Sequence, residues 1–395
     1  MSVYSLTGPV RPYAWGSRTV IAELQGRPTP TDEPEAELWL GAHPGDPATV
    51  GVPDGPVSLE SLIAEDPKGQ LGGAVLETFG PRLPFLLKVL AAESPLSLQA
   101  HPDPEYAKLA YARQEADPAL PRNYTDANHK PEMLVAITPF EALCGFRAPA
   151  AAADAIEAFG VAALAPVIEA LRGGDLRTAV RTLLTWPADD RDYLVTAVAV
   201  AAQVAPADHP QAASFTLAAD LANHYPGDPG VLVALLLNHV RLAPGEAIWM
   251  PAGNLHAYLH GAGVELMAAS DNVLRGGLTP KRVDVDELLK VLRFEVLEDP
   301  ILPSTPLAPG VSTWSVPVPD FELFRIDLDG TRAPTEVPAA GPRIILATSG
   351  DVFVGESVDG TPVELTAGTA AYAPADAGAI KVSGSGQVFV AAVPS

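Results

Sequence analysis

The spacing of four residues around His256 places the tightest constraint on how this chain can fold. Gly245, Pro251, Gly253 and His256 follow the pattern G-x5-P-x-G-x2-H. Proline fixes φ and glycine lacks a Cβ, so the chain can reverse sharply between two strands. The pattern predicts a strand, a tight turn and a second strand that begins with His256, whose side chain would face the mouth of a small antiparallel barrel. A single histidine after such a turn is also common as a structural residue, so a functional interpretation needs partners elsewhere.

Two upstream segments supply those partners. Ser97, Gln99 and His101 are two residues apart, so a strand would turn all three to one face, and Lys130 and Glu132 are related in the same way. Two imidazoles, a carboxylate and an amide oxygen together form a plausible site for a divalent metal such as zinc. The alternative is a hydrogen-bonded polar barrel interior without a metal. The candidate ligands are Gln99, His101, Glu132 and His256.

Several longer motifs extend this pattern along the chain. They are SLQAHPD (97–103), YTDANHKPEM (124–133), TPFEALCGF (138–146), MPAGNLHAYLHG (250–261) and ASDNVLRGGLTPK (269–281), with PYAWG and AELWLGAHP (36–44) nearer the start. In this order they resemble the type I phosphomannose isomerases, zinc enzymes of the cupin fold. The resemblance runs from about residue 10 to about residue 295 and fades in the middle and in the C-terminal third.

The resemblance implies an activity and a set of site residues. It implies one Zn²⁺ per chain and interconversion of D-mannose 6-phosphate and D-fructose 6-phosphate through an enediol(ate), feeding mannose and GDP-mannose metabolism. In the family, the positions matching the four candidate ligands bind zinc and the position matching Arg275 is catalytic. Positions matching Ser97 and Lys281 are associated with phosphate. The remaining pocket positions match Lys130, Tyr258, Glu265 and Asp271.

The residues themselves suit that chemistry. Moving a proton from the carbon beside a carbonyl requires stabilisation of an enediolate, which a divalent cation and a guanidinium would both supply. Arg275 would share a face with Asp271 if DNVLR is extended. Glu265 follows His256 by nine residues, about one hairpin return, and is an acid/base candidate together with Lys130, whose burial would lower its pKa. The sequence leaves open whether Lys130, Glu265 or a metal-bound water moves the proton.

Periodicity predicts the domain organisation. At 395 residues the chain is too long for one core. The sequence predicts a mainly β protein with a cupin-like jelly-roll catalytic barrel formed by residues 1–148 and 240–305. Ala- and Leu-rich helical periods at 149–239 predict an inserted α-helical domain. Residues 306–395 predict a degenerate cupin-like β domain without a metal site, because its echo of the central motif has Ala379 in place of the histidine.

Local signals predict particular elements. Pro84 to Leu90 is a candidate buried strand, and Asp103 should cap a helix that runs through about Ala116. Asp228-Pro229 should begin a last helix that continues through Leu237, with the β region resuming at Val240. Lys281 should stand at a helix start, where free N–H groups also favour an anion.

Composition limits the partners. The formal charge of −23 and the lack of a Lys/Arg cluster exclude nucleic acid, whereas an anionic small substrate could be bound locally by Lys130, Arg275 and Lys281. The single cysteine, Cys144, allows no internal disulfide, and its apolar neighbours predict a buried thiol. The first residues lack the features of a signal peptide, and no apolar run reaches the roughly 20 residues that span a bilayer. We therefore expect a cytoplasmic monomer that binds a sugar phosphate and no membrane.

Two other functions compete with isomerisation. A metal-dependent cupin dioxygenase would more commonly use a site of two or three histidines, which the Gln99/Glu132 pair and Arg275 disfavour. A non-enzymatic sugar-binding cupin would need no metal, so a metal assay discriminates it.

Overall fold

A computed structural model describes residues 2–53, 55–355 and 360–394 as a mainly β protein with helices. The N-terminal part contains β1 (Tyr4–Thr7), β2 (Val10–Arg11), α1 (Val20–Leu24), β3 (Glu37–Leu40), β4 (Thr49–Val50), β5 (Val57–Ser58), α2 (Leu59–Glu65), α3 (Pro67–Leu71), α4 (Gly73–Phe79), β6 (Phe85–Ala92), β7 (Gln99–Ala100), α5 (Pro104–Ala116), β8 (Glu132–Ala136) and β9 (Phe140–Phe146). A helical segment follows with α6 (Pro149–Glu157), α7 (Ala165–Arg172), α8 (Leu176–Leu184), α9 (Ala188–Val204), α10 (Ala212–His224) and α11 (Gly230–Ala234).

The chain then returns to β structure. The next elements are β10 (Leu237–Leu242), β11 (Ala247–Met250), β12 (His256–Ala268), β13 (Leu274–Arg275), α12 (Val285–Val291) and β14 (Ile301–Leu302). The C-terminal part contains β15 (Thr305–Ala308), β16 (Val311–Thr313), β17 (Glu322–Asp329), β18 (Thr335–Glu336), β19 (Arg343–Val354), β20 (Val363–Thr366), β21 (Ala370–Ala373) and β22 (Lys381–Ala392).

The first sheet is organised around the long strand β12. The strands of this sheet follow the order β14-β11-β8-β12-β6-β3-β2. The first residues of β12 pair instead with β7 and β9. β12 changes partners at Gly261, which has a φ of 111°. A Cβ at this position would lie 2.4 Å from the carbonyl oxygen of Pro139, so the close approach requires glycine. Every residue of β6 is buried, which confirms the strand predicted near Pro84 to Leu90.

The second sheet unites the two ends of the chain. Its order is β15-β16-β17-β22-β19-β21-β1-β4-β5, with Tyr4 of β1 opposite Tyr372 of β21. Neither local periodicity nor the motifs indicate this pairing. β14 belongs to the first sheet and β15 to the second, so the chain changes sheets between Leu302 and Thr305. A core that includes Val264 of β12 and Ile344 of β19 joins the sheets.

The helical segment lies between two strands that pair with each other, since Leu237 of β10 is opposite Phe146 of β9. Its helices are interrupted at Gly173-Gly174 and at Trp186-Pro187. The prediction that its last helix continues through Leu237 is wrong. That helix ends at Ala234, because Leu237 already pairs with β9.

One further prediction about helices is confirmed. The side chain of Asp103 accepts a hydrogen bond from the N–H of Tyr106 at 2.7 Å, and Pro104 opens α5. α5 runs to Ala116, so the helix directly follows His101 as predicted. Among the described residues, no helix is long and apolar enough to cross a membrane.

Candidate active site

Three side chains from separate strands converge on one point. Glu132 is the first residue of β8, His256 is the first residue of β12, and His101 follows β7. Each offers one potential ligand atom, and these three atoms lie within 4.8 Å of one another. Nε2 of His101 lies 3.3 Å and Nε2 of His256 lies 3.1 Å from Oε2 of Glu132. All three residues are buried.

The turn predicted from the glycine and proline spacing positions His256. β11 ends at Met250 and β12 begins at His256, with Gly253 between them at φ of 79°. The N–H of Gly253 donates to the carbonyl oxygen of His101 at 2.8 Å, so the turn also fixes the second imidazole. The prediction of a strand, a turn and a strand starting with an imidazole is therefore confirmed.

Both imidazoles are oriented through their other nitrogen. Nδ1 of His101 lies 2.7 Å from the carbonyl oxygen of Asn272, and Nδ1 of His256 lies 3.1 Å from that of Asn254. A carbonyl only accepts, so Nδ1 carries a proton in both rings, which leaves Nε2 as the ring atom available to a metal ion. This is the second-sphere arrangement typical of histidine ligands to zinc.

The electrostatics favour the ligand forms of these groups. Burial lowers the pKa of His101 to about 4, so its imidazole is neutral at physiological pH. Burial opposes the charge of Glu132, but Lys130 and His101 hold the pKa of this carboxyl well below its usual range. Nζ of Lys130 lies 2.8 Å from Oε1 of Glu132. Two imidazoles beside an ionised carboxylate form a donor set that fits zinc.

Gln99 and Arg275 lie beside this cluster in the strand register. Gln99 of β7 is opposite both His256 and Arg275. β7 covers only Gln99–Ala100, so the predicted alternation does not extend to Ser97 as regular strand. The Arg275 guanidinium is half-buried, burial lowers its pKa, and no described residue forms a hydrogen bond or ion pair with it. It remains charged at neutral pH, so a cation without a partner stands next to the cluster.

Glu265 belongs to a buried ionic network rather than to a hairpin return. It lies on the same strand as His256, which corrects the predicted hairpin. Oε2 of Glu265 is 3.2 Å from Nζ of Lys88, and Tyr258 donates to Oε1 at 2.7 Å. Burial raises the pKa of Glu265 and also that of Tyr258. The predicted pocket residues Glu265 and Tyr258 therefore contact each other.

Two further members of this network lie outside the residues predicted from the sequence motifs. Lys88 lies in the middle of β6, and Glu37 of β3 is 3.4 Å from its ammonium group. Burial opposes the charge of Lys88, but Glu37 and Glu265 hold its pKa above the ordinary value. A lysine inside the apolar run PFLLKVL was the available signal, since buried charges are retained only with partners.

Asp271 and Lys281 lie further out. Oδ2 of Asp271 is 3.2 Å from Nε2 of His43, which lowers the pKa of this half-exposed carboxyl. β13 covers only Leu274–Arg275, so DNVLR is not one extended strand. Lys281 is exposed and does not begin a helix. α12 starts at Val285, and Asp284 accepts the N–H of Glu287 at 3.1 Å, so a carboxylate already occupies that helix end.

Cys144 is the buried thiol expected from its apolar neighbours. Burial raises its pKa to about 12, so it stays protonated and unreactive.

The chain is similar to known proteins over most of its length. A family model described as phosphomannose isomerase type I, catalytic domain, matches residues 3–149. The chain is 35% identical over 391 residues to mannose-6-phosphate isomerase of Escherichia coli strain K12, covering 97% of each protein. It is 33% identical over 401 residues to mannose-6-phosphate isomerase of Homo sapiens, covering 93% of this chain and 92% of that protein.

Solved structures agree as well. One described as mannose 6-phosphate isomerase, holo and zinc bound, matches with a TM-score of 0.90 at 32% identity over 100% of both chains. A variant of phosphomannose isomerase from Salmonella typhimurium matches with a TM-score of 0.91 at 32% identity, again over 100% of both chains. The near-complete coverage by such relatives confirms the resemblance carried by the sequence motifs: the chain belongs to the type I phosphomannose isomerase family.

Proposed function

We propose that this chain interconverts D-mannose 6-phosphate and D-fructose 6-phosphate through an enediolate, with one zinc ion held by Gln99, His101, Glu132 and His256. The observation that carries the proposal is the buried cluster of His101, Glu132 and His256 beside the unpaired guanidinium of Arg275. Gln99 joins the ligand set because it is opposite both His256 and Arg275 in the strand register.

Arg275 is the group that we assign to charge stabilisation. Removing a proton from the carbon beside the carbonyl leaves negative charge on O1 and O2. The zinc ion, when bound, supplies positive charge to these oxygens. A guanidinium without a carboxylate partner is free to donate to the oxyanion, and its half-buried position strengthens that interaction.

Lys130 is our candidate for moving the proton. Its ammonium group is buried and lies 2.8 Å from Oε1 of Glu132, which places it beside the candidate ligands. Glu265 is tied to Lys88 and Tyr258 in the buried network. We therefore assign Glu265 to neutralising the charge of Lys88, with Tyr258 as its hydrogen-bond donor. Glu265 is also the alternative acid/base group.

In this proposal, Ser97 and Lys281 bind the phosphate group of the substrate. Leu98 donates its N–H to the carbonyl oxygen of Gly277 at 3.0 Å, so the segment bearing Ser97 runs beside the segment that leads to Lys281. Asp271, which lies four residues before Arg275 and pairs with His43, is our further candidate for a contact with the substrate. These phosphate contacts come from a hydroxyl and an ammonium group, without the helix end expected from the sequence.

A coupled assay tests the function directly. Zinc-loaded protein should convert mannose 6-phosphate to fructose 6-phosphate, lose activity after chelation and recover it when zinc is restored. Unphosphorylated mannose is the control substrate. A chelated, metal-free protein with full activity would contradict the proposal.

A further inference from the structure

A cavity of about 730 Å³ lies between the helical segment and the loop that follows Arg275. We name it the Lys281 cavity; its lining includes Arg191 of α9, His224 at the end of α10, Asp228, Gly277 and Lys281. Both sides of the cavity are firmly joined. Oδ2 of Asp228 accepts the N–H of Thr279 at 3.0 Å, and a Cβ at Gly277 would lie 2.6 Å from Cα of Gly230.

The charges that line this cavity favour an anion. Arg191 and Lys281 are cationic, and neither forms an ion pair with a described residue. Asp228 is the one carboxylate in the lining, and it directs one oxygen to the N–H of Gly230 at 2.7 Å and the other to Thr279. Two unpaired cations in one cavity of a chain with a net charge of −23 indicate selection for a negatively charged ligand.

Arg191 is also held with donors to spare. Its Nε donates to the carbonyl oxygen of Trp186 at 2.8 Å, and Nη2 lies 3.4 Å from that of Leu184. No described residue accepts a hydrogen bond from Nη1. A guanidinium fixed at one edge with an unused edge is suited to a phosphate oxygen.

The cavity lies next to the segment that follows Arg275. Arg275 is opposite Gln99, and the next bond joins the N–H of Gly276 to the carbonyl oxygen of Leu98 at 2.8 Å. Gly277, which lines the cavity, is two residues beyond Arg275. The strand pairing therefore connects the segment that lines the cavity to the segment that bears the candidate ligand Gln99.

We propose that Arg191 of the helical segment binds the phosphate group of the substrate together with Lys281. The inference rests on the proposed function and extends it, because it makes the helical segment a determinant of specificity for phosphorylated sugars. Neither the motifs around the metal cluster nor the family resemblance assigns this role to a residue between 149 and 239.

The test uses the zinc-loaded full chain and the variant Arg191→Met. KM for mannose 6-phosphate should rise roughly ten- to hundredfold, the effect of losing a hydrogen bond to a charged group. kcat and zinc content should not change. Inorganic phosphate, titrated calorimetrically, should bind more weakly by a similar factor. Arg181→Met is the matched control, because Arg181 is exposed, pairs with Asp286 and lies outside the cavity lining.

A second variant protects the test against a folding defect, since Arg191 also bonds the turn before α9. His224→Glu places a negative charge on an exposed lining residue and should likewise raise KM and weaken phosphate binding. Unchanged KM and unchanged phosphate binding in these variants would overturn the inference. If wild-type protein fails to isomerise mannose 6-phosphate, the proposed function is wrong, while phosphate calorimetry on Arg191→Met still decides whether the cavity binds the anion.

Discussion

Nδ1 of His101 lies 2.7 Å from the backbone carbonyl oxygen of Asn272, and this contact determines which ring nitrogen faces Glu132. The carbonyl is itself held in place. The Asn272 side-chain amide donates to the carbonyl oxygens of Asp126 and Asn128, each at 2.8 Å. Asn272 is completely buried, so this support comes from the interior of the protein.

Replacing Asn272 by alanine should weaken zinc binding. The backbone carbonyl stays, but the bonds that fix it are lost, and second-sphere changes of this kind cost roughly 10–100-fold in metal affinity. Competition with a chromogenic chelator measures the effect. Asn123→Ala, which removes a bond to Asp284, is the control. Equal zinc affinity in both variants would contradict the assigned role of Asn272.

The protein should bind one zinc ion per chain. His101, Glu132 and His256 form a metal-compatible group among the described residues, and Ala379 stands where the C-terminal echo of the motif would need a histidine. Elemental analysis of purified protein should give a ratio near one, and a His101→Ala, His256→Ala double variant should lose the metal. His239→Ala is the control. A ratio near two, or zinc retained by the double variant, would refute this prediction.

Arg275→Lys should reduce turnover while preserving the fold. Lysine keeps the positive charge but lacks the planar fork, and loss of one donor to a developing oxyanion costs roughly 10²–10³ in kcat. Steady-state kinetics and circular dichroism measure rate and fold separately, with the exposed Arg293→Lys as control. Near-native kcat in Arg275→Lys would remove this residue from the mechanism.

Glu322 should make stability depend on pH. Burial raises its pKa from 4.5 to about 7, so folding favours the protonated form. Its stabilising contribution is therefore complete below pH 4.5 and is lost as pH rises through 7. Glu322→Gln should be more stable than wild type at pH 8 by about 1 kcal/mol, a value reduced for partial exposure.

Urea unfolding of both proteins at pH 5 and pH 8 measures that difference, and Glu336→Gln, an exposed carboxylate, is the control. Parallel stabilities of wild type and Glu322→Gln across this range would show that Glu322 titrates normally.

The sequence predicts those features that depend on neighbouring residues. The cap by Asp103, the buried strand β6 and the turn through Gly253 into His256 all arise from local backbone preferences, and they were anticipated within a few residues. These are also the features that position the metal cluster. The candidate ligand types can therefore be predicted from the spacing of residues alone.

The features that the sequence did not predict depend on distant partners. Lys88 is stabilised by Glu37 and Glu265, which reach it from two other strands. The last helix stops at Ala234 because the next residues pair with β9, and Lys281 lacks a helix because α12 begins later at Val285. Tertiary pairing overrides local preference at each of these points.

The pairing of β1 with β21 brings together segments from opposite ends of the chain. On a ribosome, Tyr4 would emerge long before Tyr372, its partner in the sheet. During that interval the β1 backbone has unpaired donors and acceptors, and contacts so distant in sequence close slowly. Completion of the second sheet is thus expected to be a late step of folding. A chain released before residue 370 would expose β1 as an unpaired edge strand that can associate with other chains.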